Sequence, residues 1–293
     1  EHILATGLQG GAQVVAADVN RDGRLDLVVV SSELVWFENP DWTRHTLATG
    51  ISRPVSAVVD IDRVVLADAA GVLSVVAAGS VTEIDRVPAA RSLHWADLDG
   101  NGRRVAVTSA LAYYDTRVWM RHPIARESAT TLHITDWDGD GRDDILAATP
   151  SGILRFHLAT ELDTARRWQR VALTTAAATG VAALRDRKAR LLCALEAGAL
   201  VVYREEKSAL RRQVVDTQID ALLAVSDSAR IVAGKGRSVY LYSSQGSKWT
   251  STALDDGGMR AASCVAADLN ADGRTDIACL GAETANLKWY ENR

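Results

Sequence analysis

The sequence lacks the features that mark several large functional classes. Its 293 residues include only three cysteines, and its 33 basic residues are outnumbered by 37 acidic ones, for a net charge of -4. A nucleic-acid surface is therefore not expected. No uninterrupted apolar run approaches the roughly 18 residues of a membrane span, so none is expected. Glu1-His2-Ile3-Leu4 forms neither the charged nor the apolar part of a signal peptide, and the first residue is not Met, so a mature or trimmed chain is expected. Gly-x-Ser-x-Gly, His-Glu-x-x-His, P-loop and Cys-x-x-Cys motifs are all missing. No stretch keeps a helical period over about 11 residues. The nearest, Arg204 to Arg212, reads equally well as a solvated turn. Cys193, Cys264 and Cys279 lie in apolar stretches and are read as buried thiols. The alternative is a bridge between Cys264 and Cys279, which flank one loop.

What is present is a repeat. Val14 to Val30 contains Asp18-Val19-Asn20-Arg21-Asp22-Gly23-Arg24-Leu25-Asp26, and Val265 to Ala278 contains Asp268-Leu269-Asn270-Ala271-Asp272-Gly273-Arg274-Thr275-Asp276. A third copy is Asp136-Trp137-Asp138-Gly139-Asp140-Gly141-Arg142-Asp143-Asp144. A fourth, Asp97 to Val105, has lost its last carboxylate. Shortened echoes sit at Asp60, Asp186 and Asp227. The seven anchors are spaced by about 40 residues, which indicates a propeller or a solenoid. Each repeat reads as four short strands; in the first they are Gln13 to Ala17, Asp26 to Ser31, Leu34 to Glu38 and Thr43 to Ala48. The predicted fold is an all-β, seven-bladed propeller occupying residues 1–293 as one domain.

The chain ends support closure. The C-terminus, Leu287-Lys288-Trp289-Tyr290-Glu291-Asn292-Arg293, matches the start of Leu34 to Gly50, and Glu1-His2-Ile3-Leu4-Ala5-Thr6-Gly7 matches its end. The N-terminal segment should be the outer strand of the last blade, closing the ring by strand pairing.

Asp-x-Asn/Asp-x-Asp-Gly-x-x-Asp between apolar strands resembles the FG-GAP or VCBS-type repeat of calcium-binding propellers. The continuations Trp36 to Asn39 and Trp289 to Asn292 are similar to bacterial VCBS-repeat proteins and to the propeller part of aldos-2-ulose dehydratases. Lectins share the repeat, so the resemblance implies the fold and leaves the function open.

The loops themselves point to a cation. Asp18, Asn20, Asp22 and Asp26 occupy positions 1, 3, 5 and 9, with Gly23 at the sharp turn and the Arg24 carbonyl at position 7. Hard oxygens so arranged suit Ca2+ better than Zn2+. Asp136, Asp138, Asp140, Arg142 and Asp144 repeat the set, as do Asp268, Asn270, Asp272, Arg274 and Asp276. Three Ca2+ sites are expected, with a fourth possible at Asp97 and none at the short loops. At millimolar Ca2+ and a Kd of about 0.1 mM, each site would add about 1.4 kcal/mol of stability. Submicromolar cytosolic calcium would not fill such sites, so an extracellular or periplasmic setting is expected.

One asymmetric pair is His94 and His133, each three residues before its anchor, where other repeats have Val15, Ala57 and Val265. They are candidates for catalysis or ligand grip, with a packed, hydrogen-bonded role as the alternative. His2, His45 and His122, with Trp36 and Trp289, read as blade packing. The loops handing one blade to the next offer Arg53, Arg91, Glu127 and Arg260 as ligand-binding candidates on the face away from the acidic loops. The functional expectation is a monomeric, calcium-stabilised module binding carbohydrate or another polar small molecule. The alternatives are a sugar dehydratase or lyase using His94 and His133, and a protein-interaction scaffold.

Overall fold

The computed structural model describes residues 1–60, 63–159, 168–186, 189–206, 209–226, 229–246 and 248–292. The expected architecture is found: 28 strands form seven four-stranded antiparallel sheets, the blades of a β-propeller, with no helix among the described residues. Among the described residues, no helix is long and apolar enough to cross a membrane. Contacts group the blades into two compact units, Glu1–Arg86 with Ile219–Arg293, and Val87–Gln218.

The first unit begins with β1 (His2–Thr6). Blade 1 follows as β2 (Gln13–Ala17), β3 (Asp26–Val30), β4 (Leu34–Glu38) and β5 (Thr43–Ala48). These strands match the sequence reading to one residue. Blade 2 is β6 (Pro54–Asp60), β7 (Arg63–Asp68), β8 (Val72–Ala77) and β9 (Ser80–Arg86). In the other unit, blade 3 is β10 (Leu93–Ala96), β11 (Val105–Thr108), β12 (Ala112–Asp115) and β13 (Met120–Pro123). Blade 4 is β14 (Thr131–Thr135), β15 (Asp144–Thr149), β16 (Gly152–Leu158) and β17 (Trp168–Ala172). Blade 5 is β18 (Gly180–Asp186), β19 (Ala189–Glu196), β20 (Ala199–Glu206) and β21 (Ala209–Thr217). The first unit resumes with blade 6, β22 (Ala221–Ser226), β23 (Arg230–Lys235), β24 (Ser238–Gln245) and β25 (Lys248–Asp255). It ends with blade 7, β26 (Ala261–Ala267), β27 (Asp276–Gly281) and β28 (Asn286–Tyr290).

Blade 7 is completed by β1 in the order β1-β28-β27-β26, so the closure expected from the chain ends is present. His2 pairs with Trp289 and Thr6 with Asn286. The Lys288 ammonium, buried, reaches Glu1 Oε1 at 2.8 Å and Asp255 Oδ2 at 2.5 Å, which ties the first residue to blades 6 and 7.

The core lies between blades, which explains why the second strands read as continuous apolar runs. Successive side chains of a strand point to opposite faces, and here both faces are covered. Leu27 and Val29 of β3 join a cluster with Leu269, Leu280 and Leu287 of blade 7. Val28 and Val30 join one with Ala57, Val64 and Leu66 of blade 2. Each such buried aliphatic side chain contributes about 1.5–3 kcal/mol.

The cysteine reading is corrected. Cys264 on β26 stands directly opposite Cys279 on β27, Cα atoms 4.1 Å apart, and the two form a disulfide. Adjacent strands hold directly opposed side chains at this range, so the register itself brings the sulfurs together. Cys193 is a buried free thiol, as expected, and burial pushes its pKa up.

Candidate functional site

The acidic loops join the first and second strands of blades 1, 4 and 7, as the sequence indicates. Each is wound on the carboxylate at position 1. In blade 1, Asp22 N and Gly23 N donate to Asp18 Oδ1 and Oδ2 at 3.1 and 3.0 Å. Asp22 N also donates to Asn20 Oδ1 at 3.1 Å, and Arg24 N to Asp22 Oδ1 at 2.9 Å. Blade 7 repeats this from Asp268, Asn270 and Asp272. Gly23 has φ 88° and Gly273 has φ 81°, a left-handed backbone that side chains with Cβ disfavour.

Position 9 does something that its sequence did not disclose. Asp26 is fully buried and accepts from Val19 N at 3.0 Å and from Asn39 N at 2.9 Å. Asp276 accepts in the same way from Leu269 N and Asn292 N, at 3.3 and 2.8 Å. The ninth carboxylate is thus a pin joining the acidic loop to the end of the third strand. Burial, followed by backbone bonds that oppose it, leaves the Asp26 pKa raised. Each carboxylate oxygen here accepts an N–H and keeps a lone pair, so the donor chemistry still suits a hard cation.

In blades 1 and 7 one more carboxylate comes from the end of the third strand or the residue just after it. Asn20 Nδ2 donates to Glu38 Oε1 at 3.0 Å, and Asn270 Nδ2 to Glu291 Oε1 at 3.3 Å. Blade 4 differs. There Asp136, Asp138 and Asp144 converge, as do Asp138, Asp140 and His157. Arg155 is hydrogen-bonded to Asp138 and pairs with Asp144 Oδ1 at 3.0 Å. Burial raises the Asp138 pKa, but the Arg155 bond and charge outweigh it and hold that carboxyl below its usual range. The blade 3 loop keeps its turn around Asp97, with Val105 at position 9. In blades 2 and 5 the anchors of the short loops are in strand pairs, Asp60 opposite Arg63 and Asp186 opposite Ala189. The Asp227 anchor lies outside the described residues.

His94 and His133 occupy equivalent positions on β10 and β14, half-buried and close enough to feel each other's charge. Each has a protein partner. His94 Nε2 is 2.9 Å from Ser92 Oγ, and the His133 ring bonds the Ala183 backbone, the equivalent residue of blade 5. Loss of water around them lowers both pKa values to about 4, aided at His94 by His133. Both imidazoles are therefore neutral at neutral pH, far from the pKa that suits a general base there.

Of the ligand-binding candidates, Glu127 accepts from Arg170 Nε at 2.7 Å and Arg260 pairs with Glu283 at 3.3 Å. Arg53 and Arg91 are exposed and held by their backbones, Arg53 through its carbonyl to Ala69 N and Arg91 through its N–H to Ser109 Oγ. A cavity of about 270 Å3 opens beside the first handover, lined by Ile51, Ser52, Asp68 and Ser74, without Arg53.

A cavity of about 460 Å3, which sequence reasoning missed, lies beside the acidic loops between blades 7 and 1. Trp42, Pro40 and Trp289 form its apolar wall; Asn39, Asp268 and Asn270 supply polar atoms. The two indoles are 5.7 Å apart and tilted by 55°. The buried Trp289 Nε1 has no hydrogen-bond partner among the described residues. Blade 1 builds this wall because Asn39-Pro40-Asp41-Trp42 separates its third and fourth strands, where blade 2 has only Ala78-Gly79. The matching space between blades 1 and 2 holds about 140 Å3 and has no aromatic lining residue. The histidines expected to pack do so: His2 stacks on Trp289, His45 on Trp36 and His122 on Tyr113, at 4.7, 4.5 and 4.8 Å.

No family model matches the chain, and a search of curated proteins returns no match. Among solved structures, a chain from the crystal structure of the mitotic checkpoint complex is similar over 99% of this chain and 94% of that one, with a TM-score of 0.67 and 12% identity. A chain from the crystal structure of BBS1N in complex with ARL6DN, soaked with mercury, is similar over 99% and 95%, with a TM-score of 0.64 and 11% identity. At such identity both likenesses show a shared fold and nothing finer.

Proposed function

We propose that this propeller is a calcium-stabilised binding module working outside the cytosol, and that its ligand is a carbohydrate held between blades 7 and 1. The observation that carries the reading is the cavity walled by Trp42 and Trp289. Sugar rings present C–H faces that pack on indoles and hydroxyls that pair with carboxylates and amides. Asp268, Asn270 and Asn39 offer such groups beside the aromatic wall.

Both loops that bound this cavity carry the oxygen-rich pattern, which favours Ca2+ and the FG-GAP/VCBS-type reading of the chain. Ca2+ here binds and orders; it takes no part in a reaction. The Cys264–Cys279 disulfide favours an oxidising compartment, in keeping with extracellular or periplasmic calcium.

A second reading, the protein-interaction scaffold, draws support from the two similar structures, both of them chains of protein complexes. A glycan array probed with the labelled protein in millimolar calcium separates the two. The carbohydrate reading expects a discrete set of retained glycans, and Trp42→Ala should lose them. An array without signal at any calcium concentration counts against that reading and for the scaffold.

A further inference from the structure

The three intact acidic loops differ in what stands on the third strand beside them. Counting from position 9, Asp26+2 is Val28, which pairs with Trp36; Ala278 pairs in the same way with Trp289, and Leu146 with Arg155. Trp36, Trp289 and Arg155 therefore share one register. Two residues on, Glu38 and Glu291 correspond to His157.

On the fourth strand, Trp36 faces His45 and Trp289 faces His2, each in a ring stack. Tyr113 and His122 repeat the pair in blade 3. Blade 4 has lost both halves, because Arg155 faces Val171. With no ring to stack on, the guanidinium turns to the acidic loop. It bonds Asp138 and lies 3.0 Å from Asp144 Oδ1. His157 Nδ1 adds a contact to the same Asp144 oxygen at 3.1 Å, and its Nε2 lies 3.8 Å from Asp140 Oδ2. Arg155 is only 14% exposed, so water screens little of this attraction.

In blades 1 and 7, by contrast, no Lys or Arg lies within ion-pair distance of the loop aspartates among the described residues. There a carboxylate, Glu38 or Glu291, stands where blade 4 has His157, and it also faces a histidine of the fourth strand, His45 at 2.8 Å or His2 at 3.6 Å. The donor set of blade 4 therefore does not fit a divalent cation in the way the other two do. Its carboxylates converge, but on a positive charge already in place.

We infer that Arg155 is the built-in cation of the blade 4 loop, so that Ca2+ is taken by the loops of blades 1 and 7 and not by that of blade 4. This rests on the calcium reading of the loops and sharpens it. The two readings separate in one experiment, in which bound Ca2+ is counted by native mass spectrometry and equilibrium dialysis on the full chain. Asp22→Asn and Asp272→Asn should each lower the count by one, while Asp138→Asn leaves it unchanged. Arg155→Trp combined with His157→Glu, which copies blades 1 and 7, should raise it by one. A count that falls by one in Asp138→Asn overturns the inference and leaves the calcium reading standing. No bound Ca2+ in any variant overturns both. Because the double variant can fail to fold, the Asp138→Asn comparison decides by itself; circular dichroism certifies that variant.

Discussion

Asn39 of blade 1 donates its side-chain amide to the Leu269 carbonyl of blade 7 at 2.6 Å, within the acidic loop that bounds the cavity. The same amide reaches the Leu25 carbonyl at 2.9 Å, so one side chain binds the two loops together. Asn39→Ala leaves both carbonyls short of a donor in a buried place. It should cost about 1–3 kcal/mol per abandoned group, read as a lower urea midpoint at unchanged slope.

Calcium removal should lower the melting temperature. With a Kd of about 0.1 mM, two filled loops contribute about 3 kcal/mol at millimolar Ca2+. Calorimetry with and without a chelator measures this, and Asp22→Asn should show a smaller chelator effect than the parent. Superimposable melting curves for the parent would remove calcium from the account.

Deleting Glu1 to Thr6 removes β1 and leaves the β28 edge unpaired. It also strips Lys288 of its contact with Glu1. Light scattering should report aggregation and calorimetry a lower transition. A deletion variant that remains monomeric and equally stable would show that closure contributes little.

The strand plan was legible because the acidic loops fix the ends of two strands in each intact repeat and apolar runs fix the rest. The closure was legible for a similar reason, since Glu1 to Gly7 copies Arg44 to Gly50. The disulfide was harder, because Cys264 and Cys279 oppose each other only once the β26–β27 register is known. The cavity escaped because it depends on Trp42 of blade 1 meeting Trp289 of blade 7, a contact between blades that the strand pattern alone does not show. The sequence reading looked for a ligand at the handovers, where Glu127 and Arg260 prove to be paired with Arg170 and Glu283. Arg155 escaped because its meaning lies in register with Trp36 and Trp289, and register follows from strand pairing.

Acid should destabilise the fold through His94 and His133. Both have a folded pKa of about 4, below the unfolded value near 6.5. Between those values the unfolded chain binds more protons, so stability is full above pH 6.5 and falls as the pH drops toward 4. The ceiling is about 3 kcal/mol for each group, reduced by the water that reaches half-buried rings. Replacing both with Gln should flatten this part of a pH–stability profile measured by urea unfolding. An unchanged profile would mean that the two rings titrate alike in the folded and unfolded chain.

The most direct test of the account is a crystal structure of the protein in millimolar calcium, soaked with a glycan chosen from the array. The account predicts a sugar ring packed against Trp42 and Trp289, with hydroxyls bonded to Asp268 or Asn270. A sugar bound instead beside His94 and His133, or at the handover loops of Arg53 and Arg260, would contradict it.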